Sequence, residues 1–193
     1  MFNNFKTNLF KCDRQSKYDF TFSIANYLFN QLGKKGSVTF KEYDKNGNLV
    51  PFDTEYVDDK CRTDLVMFYT TSTNTQDVRY EIELKERWKH YTSNYYGKEG
   101  DKEGWMLNID KVEELNKKEG IPLYVNLYPD NKIRIWNLNK TTDYQTITKP
   151  IHKTTVLPSE VKLQDRYEVW NKDSILIDRV KGYKTNGFFT NCS

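Results

Sequence analysis

Apolar residues recur along this chain with two different periods, and the switches between them mark out its elements. From about Asp13 to Leu32, Phe22, Ala25, Phe29 and Leu32 fall at three- and four-residue steps. Ile24 and Leu28 widen that stripe and Gly33 suits a C-terminal cap, so the stretch predicts a helix. SVTFKEYD and NLVPFDTEYV alternate instead and flank Lys45-Asn46-Gly47, whose Asn-Gly pair predicts a hairpin. Pro51 cannot donate to a ladder, which assigns the second of these strands to an edge. Between Arg62 and Thr70, Leu65, Met67 and Tyr69 occupy one face while Val66 and Phe68 occupy the other, the pattern of a central strand.

A polar loop, Thr71 to Asp77, leads into Val78 to Arg87, where Val78, Tyr80, Ile82 and Leu84 alternate with Arg79, Glu81, Glu83 and Lys85. After a Lys- and Tyr-rich loop, Trp105, Ile109, Val112 and Leu115 form an apolar stripe that predicts a helix from about Trp105 to Glu119, ended by Gly120. PLYVNLY and KIRIWNL flank Pro129-Asp130-Asn131 and read as another hairpin. Beyond Asn139 the pattern weakens: YQTITKPIHKTTVLP is rich in Thr and Pro, and YEVW and SILIDRV read as two short strands. The fold class this predicts is α/β, a mixed central sheet flanked by α-helices with extra β-hairpins. It forms a single domain over residues 1–193, with a core of about 13–138 and a C-terminal elaboration over 139–193.

Composition changes the picture in two places. Hydrophobic residues make up only 37%, but 14 Tyr, 11 Phe and 4 Trp mean that rings supply much of the buried surface, and Trp88, Trp105, Trp136 and Trp170 read as core. The net charge of +3 excludes a strongly basic nucleic-acid coat while leaving room for a local basic groove. Cys12, Cys61 and Cys192 are far apart and odd in number, and His90 and His152 are isolated, so the chain reads as one of a reducing compartment without structural zinc. MFNNFKTNLFK lacks the apolar run of a signal peptide, and no segment approaches about 18 apolar residues. The expectation is a cytoplasmic protein with no membrane partner.

The chemistry concentrates between Asp64 and Lys85. Asp64 lies at the start of a strand apolar on both faces, where a carboxylate wants a cation, a donor or an exit to solvent. Glu83 and Lys85 share one face of the following strand. Two carboxylates, joined by the backbone carbonyl of Leu84, suit Mg2+ (Mn2+ may substitute), which takes one or two such ligands and keeps several waters. Lys85 would orient or deprotonate an attacking water and offset phosphate charge. A solvated strand face with Glu-Lys pairs would place Glu81, Glu83 and Lys85 in the same pattern. Roughly three acidic-x-Lys triplets are expected by chance in so Lys-rich a chain. Asp58-Asp59-Lys60, Asp130-Asn131-Lys132 and Glu160-Val161-Lys162 are others. Only Glu83-Leu84-Lys85 follows a strand with an acid at its head and stands between two helices.

Helix, strands, Asp64, then Glu83-Leu84-Lys85, a helix and a further strand resemble the PD-(D/E)xK nuclease superfamily, the restriction-endonuclease-like fold, over roughly Asp13 to Leu138. Thr63-Asp64 stands where the family name has Pro-Asp. The resemblance implies a Mg2+-dependent endonuclease whose partner is nucleic acid, taken here as DNA with RNA the alternative substrate, and a homodimer is compatible with it. Asp64 and Glu83 would be metal ligands and Lys85 the catalytic lysine. Members often carry an acid on the first helix, for which Asp13 and Asp19 are the candidates here. Arg87, Lys89 and Tyr95, in a stretch with Tyr91, Tyr96 and Lys98 that interleaves rings and cations, would contact nucleic acid. Lys111 on the second helix would face phosphate or simply be solvated. The competing expectation is a catalytically inactive restriction-endonuclease-like module that binds nucleic acid or builds a larger assembly. The two separate on whether the Asp64 and Glu83 carboxyls converge to the span bridged at about 2.0–2.1 Å per metal bond.

Overall fold

The computed structural model describes residues 14–53, 64–73, 76–87, 104–140, 146–150 and 163–191. The chain is mixed α/β. Among the described residues an eight-stranded sheet and a three-stranded sheet are built with two α-helices. In chain order the elements are α1 (Arg14–Asn26), β1 (Gly36–Tyr43), β2 (Leu49–Pro51), β3 (Leu65–Thr71), β4 (Val78–Glu86), β5 (Gly104–Asn108) and α2 (Ile109–Asn116). They continue with β6 (Ile121–Leu127), β7 (Lys132–Asn137), β8 (Thr146–Pro150), β9 (Leu163–Trp170), β10 (Ser174–Asp178) and β11 (Phe188–Asn191).

The large sheet runs β10-β7-β6-β4-β3-β1-β11, with β2 also on β1, and the small one runs β5-β9-β8. Among the described residues all pairings are antiparallel but one, β4 with β6, and parallel neighbours need a crossover, here the segment that contains α2. One face of the large sheet is apolar. Val38, Phe40, Leu65, Met67, Ile82, Leu84, Leu123, Val125 and Ile133 pack there against Phe20 and Ile24 of α1. Burying each such side chain contributes about 1.5–3 kcal/mol. The other face is covered by α2 and the small sheet, through Leu107, Val112, Tyr124, Tyr128, Trp136 and Val169. β4 is therefore enclosed on both sides, and its four residues from Glu81 to Leu84 are all buried.

Several expectations meet their counterparts. The Asn-Gly hairpin joins β1 to β2, with Asp44 Oδ1 accepting from the amides of Asn46 and Asn48, and Gly47 at φ 82°. β2 pairs with β1 alone, in keeping with Pro51. The second hairpin is β6 and β7, with Asn131 in the left-handed region at φ 60°. Trp136 is fully buried, whereas Trp88 and the side chains of Trp105 and Trp170 lie outside what is described.

Other expectations need correcting. The helix expected from Trp105 begins only at Ile109, because Gly104–Asn108 is drawn into a strand by β9. The first helix ends its regular turns at Asn26 and closes through a π-helical turn, Tyr27–Gln31. Its core face is led by Phe20 and Ile24. Phe22 and Phe29 line an open groove with Val180 and Phe189, and Leu32 is exposed. The buried face of α1 also carries Ser16, Lys17 and Asp19, which partners distant in sequence neutralise. Lys17 and Arg14 clamp buried Glu42 at 2.7 and 2.8 Å, and Asp19 accepts from Arg179 at 2.8 Å and from the Gly182 amide at 2.9 Å. A Cβ on Gly182 would come within 2.1 Å of the Tyr18 carbonyl oxygen, so only glycine lets this C-terminal strap lie on α1.

Candidate active site at the head of β3

Asp64 stands one residue before β3, whose first paired residue, Leu65, faces Ile82 of β4. Its amide donates to the Ile82 carbonyl at 3.0 Å, and its Oδ2 accepts from the Leu84 amide at 2.7 Å. The carboxylate thus takes up the Leu84 amide of β4 beside the start of β3. In an extended strand a residue's N–H and C=O point to the same neighbour, so the Leu84 carbonyl also faces this strand end. Among the described residues, the second oxygen of Asp64 takes no hydrogen bond.

Glu83 and Lys85 leave β4 on one face. Glu83 is only 3% exposed, and its Oε1 lies 2.5 Å from the Lys85 ammonium, whose side chain is 40% exposed. Lys111, from the first turn of α2, comes within 4.0 Å of Glu83 Oε2 and 3.6 Å of Glu114. Burial and the charge of Asp64 push the Glu83 carboxyl above its ordinary range, and the two lysines only partly offset this. Burial pulls the Lys85 ammonium the other way, but Glu83 and Asp64 together hold it above its ordinary value, so it stays protonated. Asp64, Glu83, Lys85 and Lys111 therefore form one electrostatic unit in which two negative groups face two positive ones.

The neighbouring strand completes the surroundings. In the parallel ladder Glu83 is opposite Tyr124, and Lys85 is opposite Asn126. Tyr124 rests on Trp136 with ring centroids 5.5 Å apart, and its hydroxyl accepts from Arg87 at 2.7 Å. Arg87, expected at a nucleic-acid backbone, is thus turned onto β6, where its amide also donates to Leu127. Lys89, Tyr91, Tyr95, Tyr96, Lys98, His90, His152, Cys12, Cys61, Cys192 and Asp13 lie outside the described residues. Asp19 is committed to Arg179, Gln15 and Gly182, and so does not join the set. Sequence reasoning missed Tyr124 and Asn126. The signal was there in PLYVNLY, where an amide interrupts an otherwise apolar strand.

The solvated Glu-Lys face that the sequence also allowed is not what surrounds Glu83. Two carboxylates and a backbone carbonyl are oxygen donors, the ligand type that Mg2+ takes. The described residues contain no group of three or more His, Cys, Asp or Glu placed for a metal. No helix among the described residues is long and apolar enough to cross a membrane. No family model, curated protein or solved structure matches the chain.

Proposed function

We propose that this chain is a Mg2+-dependent nuclease that hydrolyses DNA phosphodiester bonds, built on a restriction-endonuclease-like core. The observation that carries the reading is the junction of Asp64, Glu83 and Lys85 at the head of β3, with the Leu84 amide clamped by Asp64. The order of elements adds support: a helix, an antiparallel run β1-β3-β4, a crossover with a helix, and a parallel strand is the order the superfamily resemblance implies.

Asp64, Glu83 and the Leu84 carbonyl would hold the ion. When bound, Mg2+ supplies a Lewis acid for the phosphate and offsets charge that builds on its oxygens. The chain's own part is positional and electrostatic. Glu83 and Asp64 hold the Lys85 ammonium above its ordinary value, so in the metal-free chain Nζ carries the proton it would donate to water or to a phosphate oxygen. Lys111 adds a second cation on the helix side of Glu83. The wall of Tyr124 and Trp136 limits water behind the carboxylates.

The test is cleavage of single-stranded, duplex and branched DNA, with an RNA arm, in Mg2+ and Mn2+. Glu83→Ala and Lys85→Ala should abolish it while leaving the circular dichroism spectrum unchanged. Full activity in either variant refutes the assignment. The engagement of Asp19 by Arg179 favours a second reading, a non-catalytic nucleic-acid-binding module. That reading predicts metal-independent binding with no cleavage, alike in wild type and Glu83→Ala.

A further inference from the structure

We propose that Asn126 is a positioning residue, a second seat for the Lys85 ammonium that is taken up when Glu83 turns to a metal. The inference rests on the metal-site reading above. Lys85 and Asn126 are partners in the parallel β4/β6 ladder, so their side chains leave the sheet side by side on one face. Asn126 is fully buried. Its Nδ2 donates to the Tyr128 hydroxyl over 3.4 Å, and its Oδ1 has no hydrogen-bond partner among the described residues. Turning the amide over exchanges which end is left unmatched and removes nothing.

An unmatched amide beside Tyr124, Tyr128 and Trp136 is unfavourable, and a leucine or valine would fill the same place without that penalty. Such a group asks for a donor. The charged donor beside it in the ladder is Lys85, now held 2.5 Å from Glu83 Oε1. Glu83 is the acid a divalent cation would share, and a cation arriving at it repels the ammonium. With Asn126 Oδ1 in reach, Lys85 would shift sideways within the site, still facing the phosphate position, where otherwise it would swing into solvent.

Arg134 is the competing neighbour. It is opposite Asn126 on β7, and its buried Nε also has no hydrogen-bond partner among the described residues. A water held between the two would satisfy Asn126 without involving Lys85, and the experiment separates these cases.

Mn2+ affinity is measured by titration calorimetry on the whole chain as wild type, Asn126→Leu, Lys85→Met and the double variant, together with the metal-free melting temperature. Asn126→Leu should weaken Mn2+ binding about tenfold, the scale of one hydrogen bond to a charged group. Its melting temperature should hold or rise, while Asn126→Asp, which keeps an acceptor, should bind at least as tightly as wild type. In the Lys85→Met background Asn126→Leu should change nothing, since there is no ammonium to seat. An equal loss in that background, or no loss in the single variant, overturns the proposal and leaves the metal site standing. A wild-type chain that binds no Mn2+ removes the metal site and this inference together. Should Asn126→Leu fail to fold, Asn126→Ala takes its place in the cycle.

Discussion

Glu81 and Glu83 sit two residues apart on β4, on the same face, and are 0% and 3% exposed. Their surroundings differ in kind. Glu81 is enclosed by a fitted set of donors: Arg79 reaches its Oε1 at 2.6 and 2.9 Å, and the Tyr43 hydroxyl lies 3.1 and 3.3 Å from its two oxygens. Arg79 in turn bonds the Tyr43 oxygen at 2.8 Å, and burial beside Glu81 pushes the Tyr43 hydroxyl up to about 12. Glu83 has two lysines and a second carboxylate, which are point charges without the planar fork of a guanidinium. A buried acid matched by a guanidinium and a phenol is a structural part. A buried acid matched by lysines beside another acid can exchange partners.

The widest separation should appear in catalysis. Glu83→Gln is expected to lower DNA cleavage by at least about 10²-fold, the scale of removing one transition-state contact, while Glu81→Gln should stay within about tenfold of wild type. Single-turnover rates with Mg2+ measure both. Similar losses in the two variants would erase the distinction.

Stability should invert that order. Arg79→Met leaves a fully buried carboxylate without its cation and should cost about 3 kcal/mol in urea unfolding. Lys85→Met should cost about 1 kcal/mol or less, because Glu83 keeps Lys111 and can take up a proton.

The pH dependence gives a finer contrast. Glu83 has a folded-state pKa above its ordinary 4.5, so the folded chain holds this proton more tightly than the unfolded one. The stability so contributed is full below about pH 4.5 and is lost as pH rises through the folded value. Metal-free Glu83→Gln, which has no such proton to lose, should therefore gain stability relative to wild type as pH rises toward neutrality. Lys85 adds no pH dependence in that window, because the stability from its raised pKa is fully present there and is lost only in alkali. Tyr43→Phe should likewise cost about 1 kcal/mol through its lost hydrogen bonds, and Glu119→Ala, which removes an exposed partner of Arg79, should have the smallest effect.

The difference between the two glutamates was only half legible in the sequence. Alternation placed Glu81, Glu83 and Lys85 on one face, and the apolar run from Leu65 placed Asp64 at the head of a central strand. Arg79 and Lys85, two residues from Glu81 and Glu83, lie on that same face, but the partners that distinguish the two acids come from afar: Tyr43 for Glu81, and Lys111 and the β6 wall for Glu83. The buried polar side of α1 was hidden for the same reason, because Glu42 and Arg179 neutralise it from 25 and 160 residues away. Around Trp105 the apolar residues fit either period, and β9, some sixty positions later, decides for a strand. β11 is four residues long and carries no pattern of its own, so only its pairing with β1 defines it.

That pairing has a consequence for how the chain is made. Both ends of the large sheet, β10 and β11, come from residues after Asp173, so until these emerge from a ribosome β7 lacks its outer neighbour and Gly36 to Thr39 of β1 lie along an open edge. The β1–β11 ladder joins residues about 150 positions apart, a late and entropically demanding closure. A chain stopped short of β11 would present an unpaired edge along Gly36 to Thr39, the kind of template on which other nascent chains add. Addition of β11 is thus the step that covers this edge of β1.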